Sequence, residues 1–418
     1  MSTYPKHMRC ALALSLAAIS TAAGAADGPE VGVPARLPGG GPFLFQTAEQ
    51  GAVKVEIIAQ GLANGYSLAF LPSGDALVVE RGARLRLLRK ATGPRPTLAP
   101  KPIAGIPEYS HTPHLDPSDV LGLQDVAPDP EFAANHLIYF TYNRPVGLDA
   151  PSGRVTAATV LARARLDGSR LVENTDLVVG EAKVAVGGSR ILPGRNGELF
   201  VSVGALSEND IQSAQHTDTI YGKVLRVMRD GRIPADNPFV GVKGARAEIW
   251  TYGHRDPLGL AFAPQTGQII ASEHGPQGGD ELNILSAGRN YGWPNATYGT
   301  QYGGSPLPAA PVPPGTQGPT LIWSPSIAPS GIAFYTGAKM PGWRNNLFVA
   351  SARRGQINGT GALIRVVFNE RLEEVRQEVL FDRLHQRFKD VRQGPDGLIY
   401  AVTDEPHAVV MRIGPAAR

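Results

Sequence analysis

The sequence predicts an all-β fold, a six-bladed β-propeller, on three observations: Gly and Pro are abundant, a two-strand pattern recurs six times, and its spacing leaves room for four short strands per unit. Of 418 residues, 49 are Gly and 36 are Pro, about a fifth of the chain, against an ordinary ~12% for the pair. Residues that are permissive in φ or lack a donor work against long helices. The 42% hydrophobic content still supplies a core and excludes a disordered chain.

Each unit opens with an apolar strand, turns at Pro or Gly, and returns on a second β-rich strand. Leu68-Ala69-Phe70-Leu71-Pro72 precedes Ala76-Leu77-Val78-Val79, and Asp125-Val126-Ala127 runs through Pro130 to Leu137-Ile138-Tyr139-Phe140. Arg190-Ile191-Leu192-Pro193 precedes Leu199-Phe200-Val201, and Leu260-Ala261-Phe262-Ala263-Pro264 precedes Ile269-Ile270-Ala271. Ile332-Ala333-Phe334-Tyr335 before Leu347-Phe348-Val349 lacks the proline, and Asp390-Val391 runs through Pro395-Asp396-Gly397 to Leu398-Ile399-Tyr400-Ala401. Turns at 72, 130, 193, 264, 336 and 395 are 58, 63, 71, 72 and 59 residues apart. Radial repetition hides sheet edges that a single large sheet would expose. A β-sandwich array or a β-helix would need separate linkers or a much shorter repeat.

Residues 1–25 read as a cleaved signal peptide: Lys6, His7 and Arg9 precede an apolar run from Cys10 to Ile19, and Ala23-Gly24-Ala25 offers a small-x-small cleavage site. The run is too short for a membrane anchor, so no stable membrane insertion is expected. A periplasmic or secreted location follows, and the only cysteine, Cys10, leaves with the signal. Residues 26–50 form a Gly/Pro-rich lead-in, 51–418 the propeller, and 302–319 a Pro-rich excursion between units. A formal charge of +3 implies no nucleic-acid partner.

The densest polar cluster runs from Gly253-His254-Arg255-Asp256-Pro257 to Ser272-Glu273-His274-Gly275-Pro276 and Gly279-Asp280-Glu281-Leu282-Asn283. Carboxylates beside Gly-exposed carbonyls suit a hard cation such as Ca²⁺, although the spacing is not that of a regular calcium loop and a tight turn would also account for it.

These segments, with Asn290-Tyr291-Gly292-Trp293-Pro294, Gly222-Lys223-Val224-Leu225-Arg226 and Trp323-Ser324-Pro325-Ser326-Ile327-Ala328-Pro329-Ser330-Gly331, resemble the soluble quinoprotein sugar dehydrogenases, the glucose/sorbosone dehydrogenase family. The likeness covers roughly residues 55–414. It implies a six-bladed propeller that holds pyrroloquinoline quinone (PQQ) over Ca²⁺, oxidises an aldose sugar at its C1 hydroxyl, and passes electrons to an acceptor the sequence does not name. By the same resemblance, Gly275 and Pro276 present carbonyls to the metal. Arg255, His274, Arg353, Arg387 and Lys389 meet the cofactor, Arg255 also stabilises the quinone oxygen during catalysis, and Trp323 lies at the sugar cleft. Guanidinium forks suit a tricarboxylate.

One departure bears on activity. The family's catalytic base is a histidine in a His-aromatic-Gly-Gly-Arg segment, onto which Val186-Gly187-Gly188-Ser189-Arg190 aligns. Its position is Val186, or Gly187 with the gap moved, and neither accepts a proton. His114, with His111, is the candidate for a relocated base, because that loop immediately precedes the second unit. Asp256 replaces an asparagine and adds negative charge where an anionic cofactor is expected. Arg354, Arg383 and Arg392 read as solvated surface. The alternative function is a diverged, non-catalytic propeller that binds a ligand, metal or protein in the periplasm.

Overall fold

A computed structural model describes residues 31–107, 122–206, 208–302, 304, 306–307 and 312–416. The signal-peptide reading of residues 1–25 and the candidate bases His111 and His114 lie outside the described residues. Among those described, no helix is long and apolar enough to cross a membrane.

Six antiparallel sheets of four or five strands are arranged as a propeller, five of them from one stretch of chain and the sixth from both chain ends. The innermost strands are Gly65–Phe70, Gly122–Pro128, Val186–Pro193, Pro257–Phe262, Pro329–Phe334 and Phe388–Gln393. Each packs on the next, and the sixth packs back on the first. Every turn picked out by the sequence repeat joins one of these strands to the second strand of its own blade. Closure comes from the chain's two ends: Gly51–Leu62 pairs antiparallel with Ala408–Pro415, Val55 opposite Ile413. Phe43–Thr47 extends that sheet, so part of the segment read as a lead-in belongs to blade 6. The Pro-rich excursion sits inside blade 4, between Asp280–Leu285 and Leu321–Trp323, and not between units as the repeat spacing implied.

Strands are buried on both faces because each blade is sandwiched between two others. In Ala76–Glu80, Leu77 and Val79 pack toward blade 2, while Ala76 and Val78 pack toward blade 6. That alternation is the period-2 geometry of a strand. It explains why the strands read as continuous apolar runs. The six hydrophobic clusters of the described residues each fill one blade interface.

Polar side chains tie the inner ring together. Asp390 accepts the Leu68 N–H at 2.9 Å, Asp125 the Ile191 N–H at 2.8 Å, and Ser272 donates to the Ser330 carbonyl at 2.7 Å. Arg190 lies on the axis, 1% exposed. Its guanidinium donates to the carbonyls of Leu258 (2.6 Å), Tyr66 (3.0 Å) and Lys389 (3.2 Å), and reaches Asp125 (3.4 Å) and Ser330 Oγ (3.5 Å). From blade 3 this one side chain therefore contacts blades 1, 2, 4, 5 and 6.

Candidate functional site

Arg255 leaves the turn between Ile249–Tyr252 and Pro257–Phe262. Its main-chain N–H donates to Glu273 at 2.9 Å and its guanidinium to the His274 carbonyl at 3.2 Å. The guanidinium carbon stands 5.5 Å from the centre of the Trp293 ring, within cation–π range. Beneath it, His254 is fully buried, bonded to Thr251 Oγ1 and Glu273 and stacked on Tyr291 at 4.7 Å. The motif's histidine thus supports Arg255 from below.

His274 follows strand Ile269–Glu273, and its Nε2 is buried with no hydrogen-bond partner. Burial, and then the charges of Lys389, Arg255 and Arg387, hold the imidazole well below its ordinary pKa. It is therefore neutral near pH 7 and surrounded by cations.

Lys389, 6% exposed, points its ammonium at the Tyr66 ring, 4.5 Å from the centre, where Arg190 at 5.2 Å and Arg81 at 5.9 Å also converge. Burial is the largest effect on Lys389. With Arg81, Arg190 and Arg387 it outweighs the opposing Asp404, and the lysine is pushed down to about 7. The structure therefore gathers Arg255, His274, Arg387 and Lys389 into one positively charged centre.

Two cavities open from it. One of about 400 Å³ is lined by Arg353, Arg387, Glu405 and the N-terminal residues Val31 to Ala35. The other, of about 540 Å³, is lined by Arg255, Pro276, Trp293, Val186, Ala205 and Tyr302, among others. The residue aligned with the missing histidine thus faces the same space as Arg255 and Pro276. Gly275 fixes the adjoining loop by donating its N–H to Asp280 at 2.8 Å. A Cβ there would stand 2.2 Å from the Gly278 carbonyl, so the position requires glycine. Among the described residues no three His, Cys, Asp or Glu side chains converge as a metal site.

Asp256 is 4% exposed and accepts the Gly188 N–H at 2.9 Å, so it ties blade 4 to blade 3, with Arg255 and Lys389 acting on it as opposing charges. Burial raises its pKa. Arg392 corrects the surface reading: it is paired with Asp390 at 2.9 Å in the axial network. Trp323 lies in the outer strand of blade 4, donates to Gln377 at 2.7 Å, and lines a separate cavity of about 410 Å³ with Arg354 and Arg383. It does not share the space of Arg255 and Pro276. Sequence reasoning passed over Trp293, Tyr66, Arg81 and the axial role of Arg190. Trp293 and Arg190 carried a signal, as parts of quoted motifs.

Residues 62–412 match the model of the Glucose / Sorbosone dehydrogenase family. The chain is 35% identical over 375 residues to Aldose sugar dehydrogenase YliI of Escherichia coli, covering 88% of this chain and 94% of that protein. A crystal structure of a glucose dehydrogenase superposes with a TM-score of 0.76 at 38% identity, over 87% of this chain and 99% of that one. The PQQ-bound form of Aldose Sugar Dehydrogenase from Streptomyces coelicolor superposes with a TM-score of 0.64 at 25% identity, over 86% and 98%. With this fold, this cationic centre and these matches, the chain belongs to the glucose/sorbosone dehydrogenase family.

Proposed function

We propose that the chain is a PQQ-dependent oxidoreductase that oxidises an aldose at its C1 hydroxyl and passes electrons to an acceptor other than a nicotinamide. The observation that carries this reading is the centre of half-buried Arg255 and Arg387 and buried Lys389 around the partnerless Nε2 of His274. Like charges that depress one another's protonation are relieved by an anion, and a rigid tricarboxylate is a strong one. The family membership and the quinone-bound relative support the same cofactor.

In this reading Arg353, Arg387 and Lys389 would hold carboxylates, Arg255 would stabilise the quinone oxygen as it gains charge, and His274 would meet the cofactor. When bound, the quinone supplies the two-electron acceptor. Carbonyls of Gly275 and Pro276 are hard oxygen donors suited to Ca²⁺. The aldose occupies the cavity beside Arg255, Pro276 and Trp293. The proton of the sugar hydroxyl needs a base, for which His114 or His111 remains our candidate. We further propose export through residues 1–25 to the periplasm or beyond.

The valine at position 186 favours a second reading, a propeller that binds PQQ or another anion without turnover. Reconstitution of the purified protein with PQQ and Ca²⁺, followed by several aldoses and an artificial electron acceptor, separates the two. Reduction of the bound quinone by a sugar supports the enzyme. A bound quinone that no sugar reduces supports the binding protein, and no quinone binding removes both cofactor readings.

A further inference from the structure

A short strap closes one side of the chamber that holds Arg353 and Arg387. Val31–Gly32 pairs in parallel with Ile357–Asn358, and the Val33 N–H donates to the Asn358 carbonyl at 3.2 Å. The fit is close from both sides: a Cβ on Gly32 would stand 2.2 Å from Asn358 O, and one on Gly359 would stand 2.5 Å from Val33 O. Val33, Pro34 and Ala35 then wall the chamber opposite Arg353 and Arg387.

What holds the strap in place is slight. Residues 31–36 are all exposed, with Val31 at 60% and Val33 at 45%, and the first side chain to pack on the core is Leu37. Two paired residues with their apolar side chains in water fall far short of an independently stable sheet. Segments with few buried contacts open locally at low cost.

We infer that Val31 to Ala35 are a removable wall of the binding chamber, hinged at Leu37, which sets how fast a polycarboxylate ligand reaches and leaves Arg353 and Arg387. The ligand's identity rests on the PQQ reading above; the existence of the gate does not. A rigid ligand with several carboxylates has to be admitted whole, and a wall that swings aside admits it without disturbing the blades. Once the strap reseats, the ligand is enclosed between it and the two arginines.

The test uses the full chain and two variants. Gly32→Val places a side chain against Asn358 O, and Val33→Pro removes the donor to that carbonyl. Phenylglyoxal modification of Arg353 and Arg387, followed by peptide mass analysis, reads access to the chamber without any cofactor, with exposed Arg371 as the internal standard. Both variants should react about tenfold faster at Arg353 and Arg387, the factor that one net backbone hydrogen bond represents, and equally at Arg371. PQQ association and dissociation, followed by absorbance, should accelerate in both variants, and bound PQQ should slow tryptic cleavage after Arg36 in the parent chain. Equal modification rates in parent and variants overturn the gate, as does unchanged PQQ exchange where modification differs. Faster modification in a chain that never binds PQQ keeps the gate and removes the cofactor reading.

Discussion

Cofactor binding should be accompanied by proton uptake at Lys389. In the empty site the lysine is pushed down to about 7, first by burial and then by Arg81, Arg190 and Arg387. At pH 8 a group with that pKa is about nine-tenths neutral, and at pH 6 about one-tenth neutral. A carboxylate brought against it restores the charged form. PQQ binding should therefore take up about 0.9 proton at pH 8 and about 0.1 at pH 6, and affinity should weaken up to about tenfold per pH unit above 7. Calorimetry in two buffers of different ionisation enthalpy measures the uptake directly. His274 provides the internal contrast: its pKa lies well below the ordinary value, so uptake there would shrink from pH 6 to pH 8. Lys389→Met should abolish the pH 8 uptake. Zero uptake at pH 8 in the parent chain, or equal uptake in the variant, would refute the assignment of Lys389 to an incoming anion.

Val186→His places an imidazole in the cavity of Arg255 and Pro276, where a general base contributes about 10²–10⁴-fold. Turnover of PQQ-loaded protein should rise at least tenfold, and no rise with PQQ bound would show that a missing base does not limit the reaction. Arg190→Met leaves five blades without their common donor and should cost about 3–5 kcal/mol, the range for breaking a buried pair; an unchanged urea midpoint would sink that estimate. His114→Ala, with His111→Ala as its control, should abolish any turnover the parent shows, and full activity in both would discard the relocated base. Buried Lys223 is, like Lys389, pushed down to about 7. Folded protein then binds fewer protons than unfolded between pH 7 and about 10. Stability without ligand should rise from pH 7 to pH 9 in urea titrations, and a fall would contradict both shifts.

The fold was legible because each blade repeats one local signal. An apolar strand, a Pro or Gly turn and a second apolar strand are set by chain stiffness and two-sided burial, both properties of short segments. The aspartates that open units two and six, Asp125 and Asp390, prove to be the acceptors that tie one blade to the next. Their spacing was visible, but their partners, 66 and 322 residues away in sequence, were not. Blade 6 was misjudged at its edge because Phe43–Thr47 pairs with its neighbour through backbone groups, which composition does not encode. At the site, residue types were readable and orientation was not. Asp256 read as added negative charge near an expected anion, and its bond to the Gly188 N–H across blades was not visible in the sequence. Arg392 was expected in solvent, yet it lies in the axial network.

On the proposed reading, with Val186 at the position of the family's histidine, the geometry separates cofactor binding from proton transfer. Ring closure is secured by Arg190, the interblade aspartates and six apolar interfaces, none of which needs Lys389 or Arg387 to be charged. Gathering those cations around Tyr66 and His274 works against the fold, with Asp404 as the opposing charge on Lys389. On the proposed reading an anionic ligand would offset that cost. Val186 lines the cavity beside Arg255 and Pro276, whereas Arg353 and Arg387 line the other cavity. On that reading a substitution at this position would bear on proton transfer and not on Arg353 or Arg387. Quinone affinity and sugar turnover should accordingly separate in this protein, with the first set by Arg387 and Lys389 and the second by whichever residue supplies the base.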